Sequence, residues 1–140
     1  MLRKASGFSD IPVAFSSSNG AFTVTTGQAP EFAAWASNSA VQIIPGLYNN
    51  DSCTDLALVN GAPGWASIPV AFSNCNGTFT VTNQQVSNPV FDFAWAAADI
   101  KVKIIPGDYN NDGRTDLALV RQAAGWGSIP IAFSNGNGSF

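Results

Sequence analysis

The feature that most constrains the fold is an internal repeat with a period of about 60 residues. The segment 11–16, Ile-Pro-Val-Ala-Phe-Ser, returns at 68–73 and, with one Val-to-Ile change, at 129–134. Each copy is followed by a turn containing Asn-Gly, and the first two are then followed by a strand-like segment, 21–26 and 78–83. Periods of this length are typical of solenoids, propellers and other repeat arrays. We therefore expect one supersecondary unit to recur along the chain.

The pattern within the repeat predicts an all-β protein. A further strand is predicted at 40–46 and again at 99–106, and another at 54–60 and 115–121. Four strands of about six residues in each repeat are the content of one β-propeller blade. The composition agrees, because only 11% of the residues are charged and turn formers such as Gly (13) and Pro (8) are frequent. A single blade cannot bury both faces of its sheet, so it needs neighbours.

An acidic loop at 108–116 separates two of these predicted strands. It carries carboxylate or amide side chains at loop positions 1, 3, 5 and 9 and a glycine at position 6. Calcium takes six to eight oxygen ligands in a flexible shell, which this spacing can supply. The ligands that we expect are Asp108, Asn110, Asp112 and Asp116, with the backbone carbonyl of Arg114. Position 12 is Leu119 and not the Glu of a helical calcium hand, so the loop is predicted to lie in a strand hairpin. The alternative is an acidic turn that binds nothing.

The equivalent loop of the preceding repeat, 47–55, is degenerate. Leu47 stands where a ligand carboxylate is expected, and Ser52 replaces the turning glycine. The oxygen ligands that remain are Asn49, Asp51 and Asp55. We expect weak calcium binding there or none.

These residues resemble a known family. The loop 108–116, flanked by Ile105-Pro106-Gly107 and Leu117-Ala118-Leu119, is similar to the FG-GAP or VCBS-type repeat of calcium-binding β-propellers. With Gly-Trp-Gly-Ser-Ile-Pro at 125–130 and Asn-Gly-Asn-Gly at 135–138, it more closely resembles the secreted propeller lectins of the Psathyrella velutina type. The resemblance covers nearly the whole chain, at about two and a third repeats.

In that family the acidic loop joins the innermost strand of a blade, A, to strand B, and this sets the phase of the repeats. The resemblance implies one propeller segment over 1–140, composed of a partial blade at 9–26 (strands C and D), a blade at 40–83, and a blade at 99–140 (strands A, B, C and the start of D). The chain would then begin and end inside blades. A closed propeller needs about four to eight blades, so we expect a larger ring, formed by identical chains or by a longer parent chain. We favour the homo-oligomer, because a head-to-tail interface closes by symmetry.

Charge and composition exclude several other functions. The net charge is −3 with six basic residues in no cluster, which argues against nucleic acid or an anionic membrane surface as a partner. No run of 18 apolar residues predicts membrane insertion. Histidine is absent, so Ser-His and Cys-His catalysis is impossible and we expect no enzyme. The first four residues include Arg3 and Lys4, but no apolar stretch follows them, so the sequence predicts no signal peptide in this chain. The resemblance nevertheless implies a secreted protein.

The two cysteines, Cys53 and Cys75, fall in the same repeat. Cys53 lies in the A–B loop and Cys75 in the C–D turn, and both turns belong to one end of a four-stranded meander, within reach of a disulfide. The alternative is two unpaired thiols. A bridge would indicate an oxidising compartment.

The tryptophans fall in the predicted B–C turns and D–A connections, on the rim of the blades opposite the acidic loops. Sugar rings present apolar C–H faces and hydroxyl groups, so a saccharide site combines an aromatic platform with polar side chains. The candidates on this rim are Trp35, Trp65, Trp95 and Trp126, with Asn38, Asp99 and Arg121. The alternative for each tryptophan is packing of blade against blade.

Two functions from different classes follow. The first is a non-catalytic, calcium-stabilised lectin whose partner is a glycan. The second is a structural or adhesion propeller that binds a protein and in which calcium is purely architectural.

Overall fold

The computed structural model describes residues 9–60, 65–86, 99 and 101–140. Their regular secondary structure is almost entirely β-strand, with one short helix. The elements are β1 (Asp10–Ser16), β2 (Phe22–Gln28), α1 (Pro30–Ala36), β3 (Val41–Gly46), β4 (Asp55–Asn60), β5 (Ser67–Ser73), β6 (Phe79–Gln85), β7 (Val102–Gly107), β8 (Asp116–Arg121) and β9 (Ile131–Ala132).

The strands form three antiparallel sheets in chain order. They are an N-terminal hairpin of β1 and β2, a middle sheet in the order β3-β4-β5-β6, and a C-terminal sheet in the order β7-β8-β9. None of the described sheets closes on itself. Every strand predicted from the repeat is present, with bounds that differ by three residues at most. The all-β prediction is therefore confirmed at the level of strands and sheets.

The middle sheet is buried on both faces because its apolar residues do not alternate with polar ones. Successive side chains of a strand point to opposite faces, and in β4 both Leu58 and Val59 are fully buried. Leu58 packs with Phe32 and Ile11 on one side, whereas Val59 packs with Val102 and Leu119 on the other. The three sheets are thus stacked face to face, with the middle sheet between the other two.

Helix α1 lies in the connection between the N-terminal hairpin and the middle sheet. Pro30 at its first turn has the backbone angle that a helix start needs, and Glu31 favours the positive end of the helix dipole. Phe32 and Ala36, four residues apart, are buried against the middle sheet. The sequence pattern predicts no secondary structure for this connection, so the helix is an addition to the predicted architecture.

A membrane-spanning helix is not found within the described part of the chain, where no helix combines the necessary length and hydrophobicity.

Candidate functional site

The acidic loop 108–116 connects β7 to β8 and is organised around Asp108. The carboxylate of Asp108 accepts hydrogen bonds from the backbone N–H groups of Asp112 (3.1 Å) and Gly113 (2.9 Å). Gly113 adopts φ +83°, the left-handed conformation that favours glycine. The bond from the N–H of Gly113 is the largest cause of the lowered pKa of Asp108. The loop therefore holds Asp108 as a carboxylate facing its own backbone.

Asp112 is tied to the side chain of Arg114. One oxygen of Asp112 lies 2.5 Å from Nη2 of Arg114 and accepts a bond from Nδ2 of Asn110 (2.8 Å). The same guanidinium donates from Nε to the carbonyl of Ser134 (2.9 Å) and from Nη1 to the side chain of Asn50 (3.2 Å). Arg114 thereby links its own loop to the C-terminal sheet and to the loop of the preceding repeat.

Asp116, at loop position 9, closes the base of the loop. It is fully buried, and its two oxygens accept the backbone N–H groups of Tyr109 (3.0 Å) and Ser134 (2.9 Å). Asp55 does the same in the preceding repeat with Tyr48 and Ser73, at 2.9 and 2.8 Å. Burial raises the pKa of the Asp55 carboxyl, while the bonds from Ser73 and Tyr48 act in the opposite direction. The last acid of each loop thus has a structural task of its own.

The side chains of loop 108–116 provide the oxygen ligands that calcium prefers, but the carboxylate of Asp112 is engaged by Arg114. An ionised carboxylate has about four lone-pair sites, so Asp108 and Asp116 retain acceptor capacity beyond their two backbone bonds. To bind the cation, the carboxylate of Asp112 would have to break its ion pair with Arg114. Among the described residues, the one group of three acidic or sulfur ligands whose ligand atoms lie within 4.8 Å of one another is Asp51, Cys53 and Cys75, and its two sulfurs are not thiolates, because they form a disulfide.

The degenerate loop 47–55 contacts the next repeat where the intact loop has a carboxylate. The backbone of Leu47 accepts the N–H of Thr115 (2.6 Å) and donates to the hydroxyl of Thr115 (2.9 Å). Asn49 donates to Asp51 (2.7 Å), which also accepts the N–H of Cys53 (2.8 Å). These contacts make the loop part of the packing between two sheets.

Cys53 and Cys75 are joined by a disulfide, with Cα atoms 5.6 Å apart. Of the two alternatives from the sequence, bridge or free thiols, the structure has the bridge. Cys75 has φ +62°, and its equivalent in the next repeat is Gly136 with φ +82°. The cysteine thus occupies a turn position whose backbone favours glycine.

Two of the predicted rim tryptophans line one cavity on the opposite side of the middle sheet. Trp35 from α1 and Trp65, which precedes β5, lie together at a cavity of about 140 Å³. Its remaining lining residues are Ala66, Ser67, Pro69 and Asn83. Both tryptophans also pack against the core between the N-terminal hairpin and the middle sheet. The indoles therefore combine a packing role with an accessible surface beside a hydroxyl and an amide.

The other predicted rim residues that the structure describes do not line this cavity. The side chain of Asn38 accepts the N–H of Ala40 (3.0 Å), and that of Asp99 accepts the N–H of Lys101 (2.9 Å), so each shapes the turn before a strand. Asp99 also pairs with Arg121 at 2.8 Å, and its pKa is lowered, chiefly by the N–H of Lys101 and then by Arg121. Trp126 is half-buried against the core between the middle and C-terminal sheets. Trp95 lies outside the described residues.

Sequence reasoning missed Ser67 and Asn83. Asn83 faces Pro69 across the β5–β6 ladder, and Ser67 faces Gln85. The repeat predicted both strands but not which polar residues of the hairpin would converge on a tryptophan from another segment. The register of the Asn-Gly hairpin is the signal that could have identified them, since it fixes every cross-strand pair.

Comparison of the chain with family models, with curated proteins and with solved structures found no match.

Proposed function

We propose that this chain is a segment of a non-catalytic, calcium-stabilised β-propeller lectin. An antiparallel hairpin and two antiparallel meanders, stacked face to face in chain order, support the propeller architecture. The bridge between Cys53 and Cys75 agrees with a secreted location, because disulfides persist in oxidising compartments.

The observation that carries the saccharide proposal is the cavity between Trp35 and Trp65. Two indoles offer apolar surface for the C–H face of a sugar ring, while the hydroxyl of Ser67 and the amide of Asn83 offer hydrogen bonds to its hydroxyl groups. At about 140 Å³ the cavity is smaller than the roughly 300 Å³ at which enclosing ligand pockets begin. It would therefore hold part of one sugar residue, and useful affinity would come from several weak sites acting together.

In this proposed lectin, calcium has an architectural role. Bound calcium would supply the positive charge that lets several oxygens of loop 108–116 face one another. Of the three acids in the loop, Asp108 is exposed and Asp112 is half-buried. Asp116 is fully buried and hydrogen-bonds the two ends of the loop to the sheet. The cavity lined by Trp35 and Trp65 belongs to the other rim of the sheets, so calcium would stabilise the segment without touching the sugar.

Glycan binding tests the proposal at the level of single residues. We expect the intact chain to bind saccharides on a glycan array and Asn83→Ala to weaken binding by about tenfold, equivalent to loss of one hydrogen bond worth roughly 1.4 kcal/mol. Asn83 is exposed, so its truncation leaves the core intact. Trp65→Phe should weaken binding as well and reduce the change in tryptophan fluorescence on titration with the best glycan.

The matched control is Gln42→Ala, an exposed amide on β3 outside the cavity, which should bind like the wild type. Binding that is unaffected by Asn83→Ala and Trp65→Phe would place the sugar elsewhere. A folded protein that binds no glycan at all would favour the structural or adhesion propeller.

A further inference from the structure

An open groove runs beside β1, over the face of the middle sheet. It has a volume of about 520 Å³ and is bordered by β1 residues 11–15, by residues of β3, β4, β5 and β6, and by the end of the loop before β4. Three of its lining residues, Thr54, Ser73 and Phe79, have equivalents 61 residues further on. Those equivalents are Thr115, Ser134 and Phe140.

The equivalent trio already has an occupant within the chain, the Leu47–Tyr48 dipeptide after β3. Thr115 makes two bonds to the backbone of Leu47, and the hydroxyl of Ser134 donates to the carbonyl of Tyr48 (3.0 Å). The ring of Phe140 meets that of Tyr48 edge to face, with centroids 6.0 Å apart. The trio is thus a receptor for the Tyr-containing hairpin of the preceding sheet, and the groove is a second copy of that receptor.

A second copy of the hairpin also exists, on the opposite end of the stack. Tyr109 is the equivalent of Tyr48, yet Tyr48 is fully buried whereas Tyr109 is 43% exposed. Two neighbours on the outer face of the C-terminal sheet, Ile105 and Val120, are also exposed, at 43% and 37%. The chain therefore presents a receptor at one end and the matching hairpin at the other.

The strands beside these two surfaces are interchangeable in sequence. Residues 10–22 and 128–140 are identical at eight of 13 positions. Within the described residues β1 pairs only with β2, whereas its equivalent β5 pairs on both edges. In the C-terminal sheet, β9 pairs with the edge of β8 at two residue pairs. In the single chain β9 pairs with one edge of β8. The sequence of β1 fits that same edge.

We propose that copies of this chain associate head to tail by strand exchange, with residues 10–22 of one copy replacing residues 128–140 of the next on β8. The exchanged sheet then has the order β7-β8-β1-β2, with β1 and β2 from the second copy. Its β7–β8 hairpin places Tyr109 in the second copy's groove, against Ser73 and Phe79. The occupant of each end is therefore another copy of the same chain.

The exchange replaces contacts with chemically equivalent ones. Ala14 takes the place of Ala132 opposite Leu117, Ser16 that of Ser134 at Asp116, and Phe22 that of Phe140 at Tyr48. Gly20 has no atom within 4 Å of a would-be Cβ, while its equivalent Gly138 lies against Thr82. The added contact is the filled groove, whose buried apolar surface favours the associated form. Exchange of identical elements is a general route to such assemblies.

Two substitutions at equivalent positions test the exchange on the full chain. Ala14 is exposed in the single chain, so Ala14→Asp should fold normally but fail to associate, because the introduced carboxylate would enter the core beside Leu117. Ala132→Asp places a charge in the core of the single chain, where Ala132 is 6% exposed, but in a strand that exchange releases. We expect light scattering during size exclusion to show oligomers for the wild type and for Ala132→Asp, and monomers for Ala14→Asp.

A wild type that stays monomeric at all concentrations, or an Ala14→Asp variant that associates like the wild type, would overturn the proposal. A photo-crosslinking residue in place of Tyr109, in a mixture of isotopically labelled and unlabelled chains, provides a second test. The expected product joins two chains at a peptide containing Ser73 or Phe79. Cross-links to any other surface would contradict the exchange even if oligomers form.

Discussion

At the scale of single residues, the two buried aspartates explain why the loops keep their shape in both repeats. Asp55 and Asp116 each accept a backbone N–H group from the loop and a second one from a serine, which is Ser73 at the end of β5 for Asp55 and Ser134 shortly after β9 for Asp116. Neither has an ion-pair partner among the described residues, so backbone N–H groups are the partners that hold each carboxyl group in place. Each buried carboxylate therefore connects its loop to another part of the same sheet through two backbone hydrogen bonds.

Replacing either aspartate by asparagine should destabilise the fold. An amide offers one acceptor oxygen, so one of the two backbone N–H groups faces an NH₂ donor, and an unsatisfied buried donor costs about 1–3 kcal/mol. Urea denaturation should therefore show this loss for Asp55→Asn and for Asp116→Asn. The control is Glu31→Gln, the same charge change on an exposed helix position, which we expect to stay within about 0.5 kcal/mol of the wild type. An equally stable Asp116→Asn variant would contradict the connector role.

At the scale of elements, the loop between the first two strands of the middle and C-terminal sheets is fastened to the turn after the third strand, by different chemistry in each. In the C-terminal sheet Arg114 reaches across to the carbonyl of Ser134 and lies 3.3 Å from a would-be Cβ on Gly136. In the middle sheet Cys53 and Cys75 occupy the same two positions as Arg114 and Gly136 and are covalently joined. A guanidinium in one repeat and a disulfide in the other perform the same fastening.

The disulfide and the backbone at Cys75 can be separated by mutation. Cys53→Ser with Cys75→Ser removes a bridge that spans 22 residues, which should lower the free energy of unfolding by about 3 kcal/mol. Cys53→Ser with Cys75→Gly should recover roughly 1 kcal/mol of this, because glycine adopts φ +62° without steric cost. Chemical denaturation of both variants without reductant measures the difference. If the variant with Cys75→Gly is no more stable than the variant with Cys75→Ser, the left-handed turn carries no strain.

The two acidic loops provide a matched test of metal binding. We expect the wild type to bind one calcium ion per chain and Asp108→Leu, which copies Leu47, to bind none, because the first ligand is lost. The reverse graft, Leu47→Asp with Ser52→Gly, should add a second ion by restoring the carboxylate and the turning glycine. Native mass spectrometry and calorimetric titration report the stoichiometry. Unchanged stoichiometry in Asp108→Leu would exclude the loop as the site.

The elements that could be predicted from sequence are those fixed by local pattern. The repeated Ile-Pro-Val-Ala-Phe-Ser strand and its Asn-Gly turn specify a hairpin wherever they occur, and all the predicted strands formed. Helix α1 was missed although Pro30, Glu31 and Phe32 are helix signals, because seven residues show too little periodicity. The meeting of Trp65 with Trp35 depends on how α1 packs on the middle sheet, which no local pattern encodes. The spacing of Asp116 predicts a calcium ligand, and its burial with two backbone hydrogen bonds is a further structural role that the spacing does not predict.

At the scale of the whole molecule, the stack is asymmetric in burial although its repeats are similar in sequence. Val59 and Val120 are equivalent residues on the same strand position, but Val59 is 1% exposed between two sheets and Val120 is 37% exposed on the outer face. The surroundings alone decide the difference. The energetic contribution of an apolar residue here is therefore set by whether its sheet has a neighbour.

Truncating these two valines to alanine measures that contribution directly. At high dilution, Val59→Ala should cost about 2–3 kcal/mol of unfolding free energy, from lost methyl burial and a cavity, and Val120→Ala less than about 1 kcal/mol. If copies associate through the outer face of the C-terminal sheet, Val120 becomes buried against Ile43 and Leu56 of the neighbouring copy. The cost of Val120→Ala should then rise with protein concentration, because association stabilises the folded state by mass action, whereas the cost of Val59→Ala should not. Equal costs at high dilution would mean that the outer face is already covered within one chain, and a Val120→Ala cost that is independent of concentration would mean that no second copy packs there.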